Sequence, residues 1–322
     1  MTEDKALALM VPPSQKRPVW RGGVIQIFIT RSCDMKCFNC TQLSNLGGKP
    51  IMITPEQFEE ALLSLEGYWG VVGMFGGNPA THPQFEELCE IFRKHFPKKQ
   101  RGLWCNHPRG KGKIMRKTFD PLVSNLNVHL NQEARAEFIR DWPECKKEIK
   151  GDKSDSLHSP IYVAMKDMEE LPFGDKLKPN TEANRWELIS RCDINQFWSA
   201  MLCPVPGKGL RAFFCEIAGA MAMRYAEKPE WADLGIEAVP GWWKKPMTDF
   251  RNQVRTACHS CGAPMRMKGQ LAVDGDYEET SPTHTSKEYK PKDPNREVHQ
   301  ISHPTKTTER MTNYIQNGSK FK

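Results

Sequence analysis

Three cysteines, Cys33, Cys37 and Cys40, stand in the spacing C-x3-C-x2-C directly after the apolar run Val24-Ile25-Gln26-Ile27-Phe28-Ile29-Thr30. Thiols this close in sequence are not three independent core side chains. A loop that curls can turn them onto one metal centre, and three ligands leave a fourth position open for chemistry. A second group follows downstream: Cys192, Cys203, Cys215 and the pair Cys258-x2-Cys261. Cys203 and Cys215 flank Pro-Val-Pro-Gly-Lys-Gly and a short apolar stretch, which reads as a tight hairpin with a cysteine at each end. A hairpin pair plus a distant C-x2-C can complete a closed four-thiolate site. On spacing alone such a site suits zinc as well as iron–sulfur. Zinc at the first cysteines would need distant ligands, for which His82 and His107 are the candidates.

These groups sit in a chain of 322 residues with eleven cysteines and a net charge of +7. The length suits one large domain plus a smaller one. No apolar run is long enough for a membrane span. Residues 1–18 carry charges and prolines rather than an apolar signal core, so a cytoplasmic protein with no membrane partner is expected. There, eleven cysteines fit reduced thiols used for metal rather than a disulfide framework. The charge does not by itself point to nucleic acid.

The elements that must position the cysteines alternate. A buried strand at 24–30 precedes the first cysteine loop. Thr54-Pro55-Glu56-Gln57 is a capping box that opens a helix running to about Leu65, with Phe58, Ala61, Leu62 and Leu65 on one face. A strand at 70–75 ends in Gly76-Gly77-Asn78-Pro79. A helix opens near His82-Pro83 and carries Phe85, Leu88, Ile91 and Phe92. A strand at 102–105 ends at Asn106, helical material follows from Lys113, and a strand at 126–130 ends at Asn131. A charged connection at 134–159 leads to a fifth strand at 161–165. Alternation of this kind gives an α/β protein with a parallel sheet, whose ligands bind beyond the carboxyl ends of the strands. The cysteine loop, residues 76–79, Asn106 and Asn131 all fall there. Cys89 and Cys105 read as small buried side chains, and Trp231, Trp242 and Trp243 as packing for the smaller domain. Residues 98–117 hold Lys98, Lys99, Arg101, Arg109, Lys111, Lys113, Arg116 and Lys117 with no acid. They read as a solvated face, with a site for an anionic partner as the alternative.

C-x3-C-x2-C after a first strand resembles the radical S-adenosylmethionine (SAM) enzymes, and Gly76-Gly77-Asn78-Pro79 is similar to that family's Gly-Gly-Glu-Pro segment, with Asn78 in place of the glutamate. The resemblance implies a partial (β/α) TIM-like barrel. It implies a [4Fe-4S] cluster held by Cys33, Cys37 and Cys40, with SAM on the open iron. Contacts to SAM then fall to Gly76, Gly77, Asn78, Pro79, Asn106 and Asn131, with Phe38 or Asn39 near the adenine. The later cysteines resemble the family's twitch or SPASM extension. Five of them fit one auxiliary [4Fe-4S] cluster, with Cys203, Cys215, Cys258 and Cys261 as ligands and Cys192 as the alternate. The implied reaction is one-electron cleavage of SAM to a 5′-deoxyadenosyl radical that abstracts hydrogen from a substrate. A flavodoxin- or ferredoxin-type donor would supply the electron. The expected substrate is a peptide or protein, with a nucleotide or nucleic acid second. A zinc-binding adaptor without catalysis is the reading from a different class. The expected organisation is a flexible lead-in at 1–21, a core at 22–185, an auxiliary domain at 186–270 and a disordered polar tail at 271–322.

Overall fold

The computed structural model describes residues 1–16, 23–34, 40–44, 50–127, 132–145, 147–148, 182–231, 233–261 and 263–264. Val24–Thr30 forms β1, buried from its second residue to its last. From it the chain alternates through α2 (Pro55–Leu63), β2 (Val71–Gly76), α3 (Phe85–His95), β3 (Arg101–Cys105), α4 (Gly112–Thr118), β4 (Asn125–Asn127), α5 (Gln132–Asp141) and β5 (Lys147–Glu148). Each strand in this run pairs in parallel with the one before it. The start of α2 follows from its capping box. Gln57 N–H donates to Thr54 Oγ1 at 3.2 Å, and Thr54 N–H donates to the Gln57 side chain at 3.1 Å. A row of rings ties the helices together: Phe58 meets Phe92, Phe92 meets Phe119, and Phe119 meets Trp142.

The helix α5 lies where the sequence suggested only a charged connection. Ala134, Phe138 and Trp142 recur at every fourth residue and are buried. Charges on the other faces of the helix conceal this narrow stripe in the sequence.

The later half adds α6 (Glu182–Ser190), α7 (Asp193–Phe197), β6 (Ala200–Val205), β7 (Gly209–Phe213), α8 (Glu216–Tyr225) and β8 (Ile236–Glu237). It ends in a π-helical turn, Val254–Cys258. β6 and β7 are the expected hairpin, but β6 also pairs in parallel with β1. The sheet therefore runs β5-β4-β3-β2-β1-β6-β7-β8. The α/β class holds. Among the described residues the sheet is open, and the cysteine-rich half forms its antiparallel edge rather than a sheet of its own.

Residues 1–16 are folded, contrary to the expected flexible lead-in. Glu3–Leu9 forms α1, whose N-cap Thr2 accepts from Lys5 N–H. Ala6, Leu7 and Met10 are buried, Glu3 pairs with Arg251 and Arg255, and Asp4 pairs with Arg251. Residues 17–22, the strand expected at 161–165 and the tail expected at 271–322 lie outside the described residues.

Candidate metal centres

The end of β2 fixes the root of the first cysteine loop. Pairing of β1 with β2 slips between Phe28 and Thr30, which sets Thr30 opposite Gly76. The backbone then continues the ladder: Gly77 N–H donates to Thr30 O and Asn78 N–H to Ser32 O, both at 2.8 Å. A Cβ on Gly76 would sit 2.2 Å from Thr30 O, and one on Gly77 would sit 2.3 Å from Ser32 O. The glycines thus allow backbone to approach backbone. Pro79 is buried at the start of a short turn, and Thr81 Oγ1 donates to Ser32 O at 3.1 Å.

Cys33 and Cys40 emerge half-buried from this root. Cys37, Phe38, Asn39 and Asn131 lie outside the described residues. Asn106, just past β3, donates from Nδ2 to Cys33 Sγ at 3.3 Å. Its Oδ1 is buried without a hydrogen-bond partner among the described residues. An N–H donor on sulfur favours the thiolate, and an orphaned acceptor beside it is one a ligand donor would satisfy.

The amide of Asn78, by contrast, is fully committed. Nδ2 donates to Asp34 Oδ2 at 2.5 Å and to His107 O at 3.0 Å, while Oδ1 accepts from the Cys105 thiol at 3.0 Å. Asn78 and Cys105 are both buried. The exposed acid at this place is Asp34, whose second oxygen pairs with Arg109. Arg109 holds φ of +50° ahead of Gly110 at +76°, a bend that turns its side chain back toward the cysteine loop. Asp34 was not singled out from the sequence. Its signal was an acid inside the C-x3-C spacing of a chain lacking the family's glutamate at position 78.

Of the two candidate histidines, His82 has both ring nitrogens engaged and His107 has one. His82 Nδ1 accepts from Gln84 N–H at 3.1 Å and Nε2 donates to Ile53 O at 2.9 Å, and burial lowers its pKa. His107 Nδ1 accepts from Arg109 N–H at 3.1 Å. Much of the basic stretch is also used internally. Lys111 Nζ donates to Ala80 O and His82 O, Lys98 Nζ donates to Arg116 O, Arg116 pairs with Glu144, and Arg101 is buried.

The second cysteine group surrounds a cavity lined by Cys192, Cys215, Cys258 and Cys261 together with Met10 and Phe214. Helix starts position two of them: Cys192 is the N-cap residue of α7 and Cys215 that of α8. The N–H groups of Ile217 and Ala218 hydrogen-bond to the Cys215 sulfur. Cys258 ends the π-helical turn, and Cys261 Sγ accepts from Ala263 N–H at 3.4 Å. Cys203 does not join them. It lies on β6 opposite Arg211, wholly buried, with its thiol 3.8 Å from Gly219 O. Gly219 is one turn into α8, so Cys203 packs under the middle of that helix while Cys215 stands at its start. Cys192, the alternate, lines the cavity where Cys203 does not.

Burial raises the Cys258 and Cys261 thiols well above their ordinary range, and the neighbouring Cys192 and Cys215 sulfurs raise both further. Such a set ionises together only around a cation. Among the described residues no three His, Cys, Asp or Glu side chains are already closed to coordinating geometry.

The two groups are neighbours. Thr41, next to Cys40, hydrogen-bonds through its side chain to Glu216, next to Cys215. Ser199 Oγ also donates to Glu216, and burial raises that carboxyl to about 7.

No protein-family model and no curated protein matches the chain. Among solved structures it is similar to BtrN in complex with AdoMet and 2-DOIA, at 11% identity over 80% of this chain and 96% of that chain, with a TM-score of 0.44. It is also similar to Streptococcus suis SuiB, at 12% identity over 81% of this chain and 75% of that chain, with a TM-score of 0.30. For SuiB bound to S-adenosylmethionine the values are 13% identity, 81% and 75% coverage, and a TM-score of 0.32.

Proposed function

We propose that the chain is a radical SAM enzyme. Cys33, Cys37 and Cys40 hold a [4Fe-4S] cluster that takes SAM, and Cys192, Cys215, Cys258 and Cys261 hold an auxiliary one. The observation that carries this reading is the placement of the groups: a C-x3-C-x2-C loop leaves the carboxyl end of a central parallel strand, and a four-cysteine cavity lies one hydrogen-bonded step away through Thr41 and Glu216. Bound there, the first cluster and SAM would supply a 5′-deoxyadenosyl radical for hydrogen abstraction. The protein's own residues bind and orient. Asp34 receives the cationic α-amino group of SAM, Asn78 holds Asp34 in place, and the Asn106 oxygen accepts from a SAM donor. Arg109, released from Asp34, faces the SAM carboxylate. The substrate is a peptide or protein side chain. Internal use of much of the basic stretch disfavours the nucleotide alternative. A flavodoxin- or ferredoxin-type donor in the cytoplasm supplies the electron.

Anaerobically purified protein should contain about eight irons and as many sulfides per chain, as two four-iron clusters require. With a strong reductant it should release 5′-deoxyadenosine from SAM. Stoichiometric zinc without sulfide would overturn the reading in favour of a zinc-binding adaptor. Asp34→Asn should keep the iron content and weaken SAM binding about 10- to 100-fold, the worth of a charge-assisted hydrogen bond of about 1.5–3 kcal/mol. Titration calorimetry on cluster-loaded protein reads this directly, and an unchanged Kd would remove Asp34 from the site.

A further inference from the structure

Lys16 is wholly buried. An ammonium taken out of water is costly unless charge and hydrogen bonds compensate it. Its Nζ donates to Asn195 O at 2.8 Å and lies 6.0 Å from the centre of the Phe214 ring. Asn195 and Phe214 both line the four-cysteine cavity. One carbonyl and one ring face do not balance a cation. Burial lowers its pKa, and what opposes that is the negative charge that Cys215, Cys192, Glu216 and Cys258 carry when ionised.

The segment that carries Lys16 is built to hold it there. Val11 and Asn195 clasp each other: Val11 N–H donates to Asn195 Oδ1 at 2.8 Å, and Asn195 Nδ2 donates to Val11 O at 3.1 Å. Met10 lines the cavity beside them. A Cβ on Gly23 would sit 2.9 Å from Lys16 O, so the chain is also tight where β1 begins.

We propose that Lys16 is the counter-cation of the four-cysteine centre, held against the Asn195 and Phe214 wall of the cavity by the N-terminal segment. A centre bound by four thiolates is net anionic whether it is iron–sulfur or zinc, and the Lys16 ammonium offsets that charge. The inference rests on the reading that Cys192, Cys215, Cys258 and Cys261 hold a metal centre, but not on which one. The competing partner is Glu216. If Lys16 serves Glu216 alone, its removal changes the stability of the fold and leaves the centre as it was.

The test compares Lys16→Met and Lys16→Arg with wild type in the full chain, purified anaerobically, with folding followed by circular dichroism. Reduction of each cluster is titrated by electron paramagnetic resonance. Removing a cation disfavours the more negative, reduced state. The auxiliary cluster of Lys16→Met should therefore be about tenfold harder to reduce, or about 59 mV lower for one electron. Lys16→Arg should stay near wild type, and the cluster of the Cys33 loop serves as internal reference. Loss of the auxiliary centre in Lys16→Met with retention in Lys16→Arg supports the same conclusion. If the wild type carries zinc, the radical reading fails and the counter-cation is tested by chelator competition. Lys16→Met should then release zinc at about tenfold lower chelator. An unmoved potential or zinc affinity in folded Lys16→Met overturns the proposal. So does an equal effect in both variants, or a wild type that holds no metal at these cysteines.

Discussion

Cys192→Ala should lose about four irons per chain, and Cys203→Ala should keep the wild-type complement. The two residues are eleven positions apart, and the family resemblance puts Cys203 first with Cys192 as the alternate, so the contrast is sharp. Cys192 stands at the cavity with Cys215, Cys258 and Cys261. If these four thiolates hold a cluster as proposed, removing one would open its coordination shell and expose a cluster edge. Cys203 is wholly buried on β6 against Gly219. Its replacement by alanine removes one sulfur from a packed core, a cost of about 1 kcal/mol, and touches no ligand. Iron and sulfide analysis after anaerobic reconstitution separates the two. A Cys203→Ala protein short of four irons, beside a fully loaded Cys192→Ala, would return the ligand role to the hairpin.

The sequence held the local facts and hid the non-local ones. The capping box at Thr54, the strand at Val24–Thr30 and the hairpin between Cys203 and Cys215 each depend on residues within one or two turns of chain, and each is found. The choice between Cys192 and Cys203 depends on which side of β6 meets the body of α8 and on where α7 begins. Neither is written in the spacing of cysteines. The pairing of β6 with β1 joins residues far apart in the chain, which alternation cannot specify. Residues 1–16 mislead for another reason. A seven-residue helix is not stable alone. α1 is held by ion pairs from Glu3 and Asp4 to Arg251 and Arg255 at the other end of the described chain. At the site, Asn78 was legible as a departure from the family pattern. Its consequence, an amide given over to Asp34, His107 and Cys105, appears only once the ends of β1, β2 and β3 meet.

Gly76→Ala should melt well below wild type and lose the cluster of the first cysteine loop. Two costs add. Gly76 holds φ of +141°, a conformation that costs a side-chain-bearing residue about 1–3 kcal/mol. The new Cβ would also sit 2.2 Å from Thr30 O, and crowding of this kind adds about 1–3 kcal/mol. The contact is with backbone, and Thr30 is the buried last residue of a strand paired on both sides, so no flexible side chain can swing away. A domain stable by about 5–15 kcal/mol survives such a loss only narrowly. Gly207→Ala in the hairpin turn is the milder control. It has φ of +74°, near the left-handed region, and nothing within 4 Å of its Cβ, so it carries a smaller conformational cost and no clash. The difference in melting temperature between the two variants measures the clash together with the extra strain at +141°, and the iron content of Gly76→Ala reports whether Cys33 has moved with Thr30. Equal melting of the two variants with full iron in Gly76→Ala would mean that the end of β1 yields freely. The Gly-Gly segment would then not be what holds the cysteine loop.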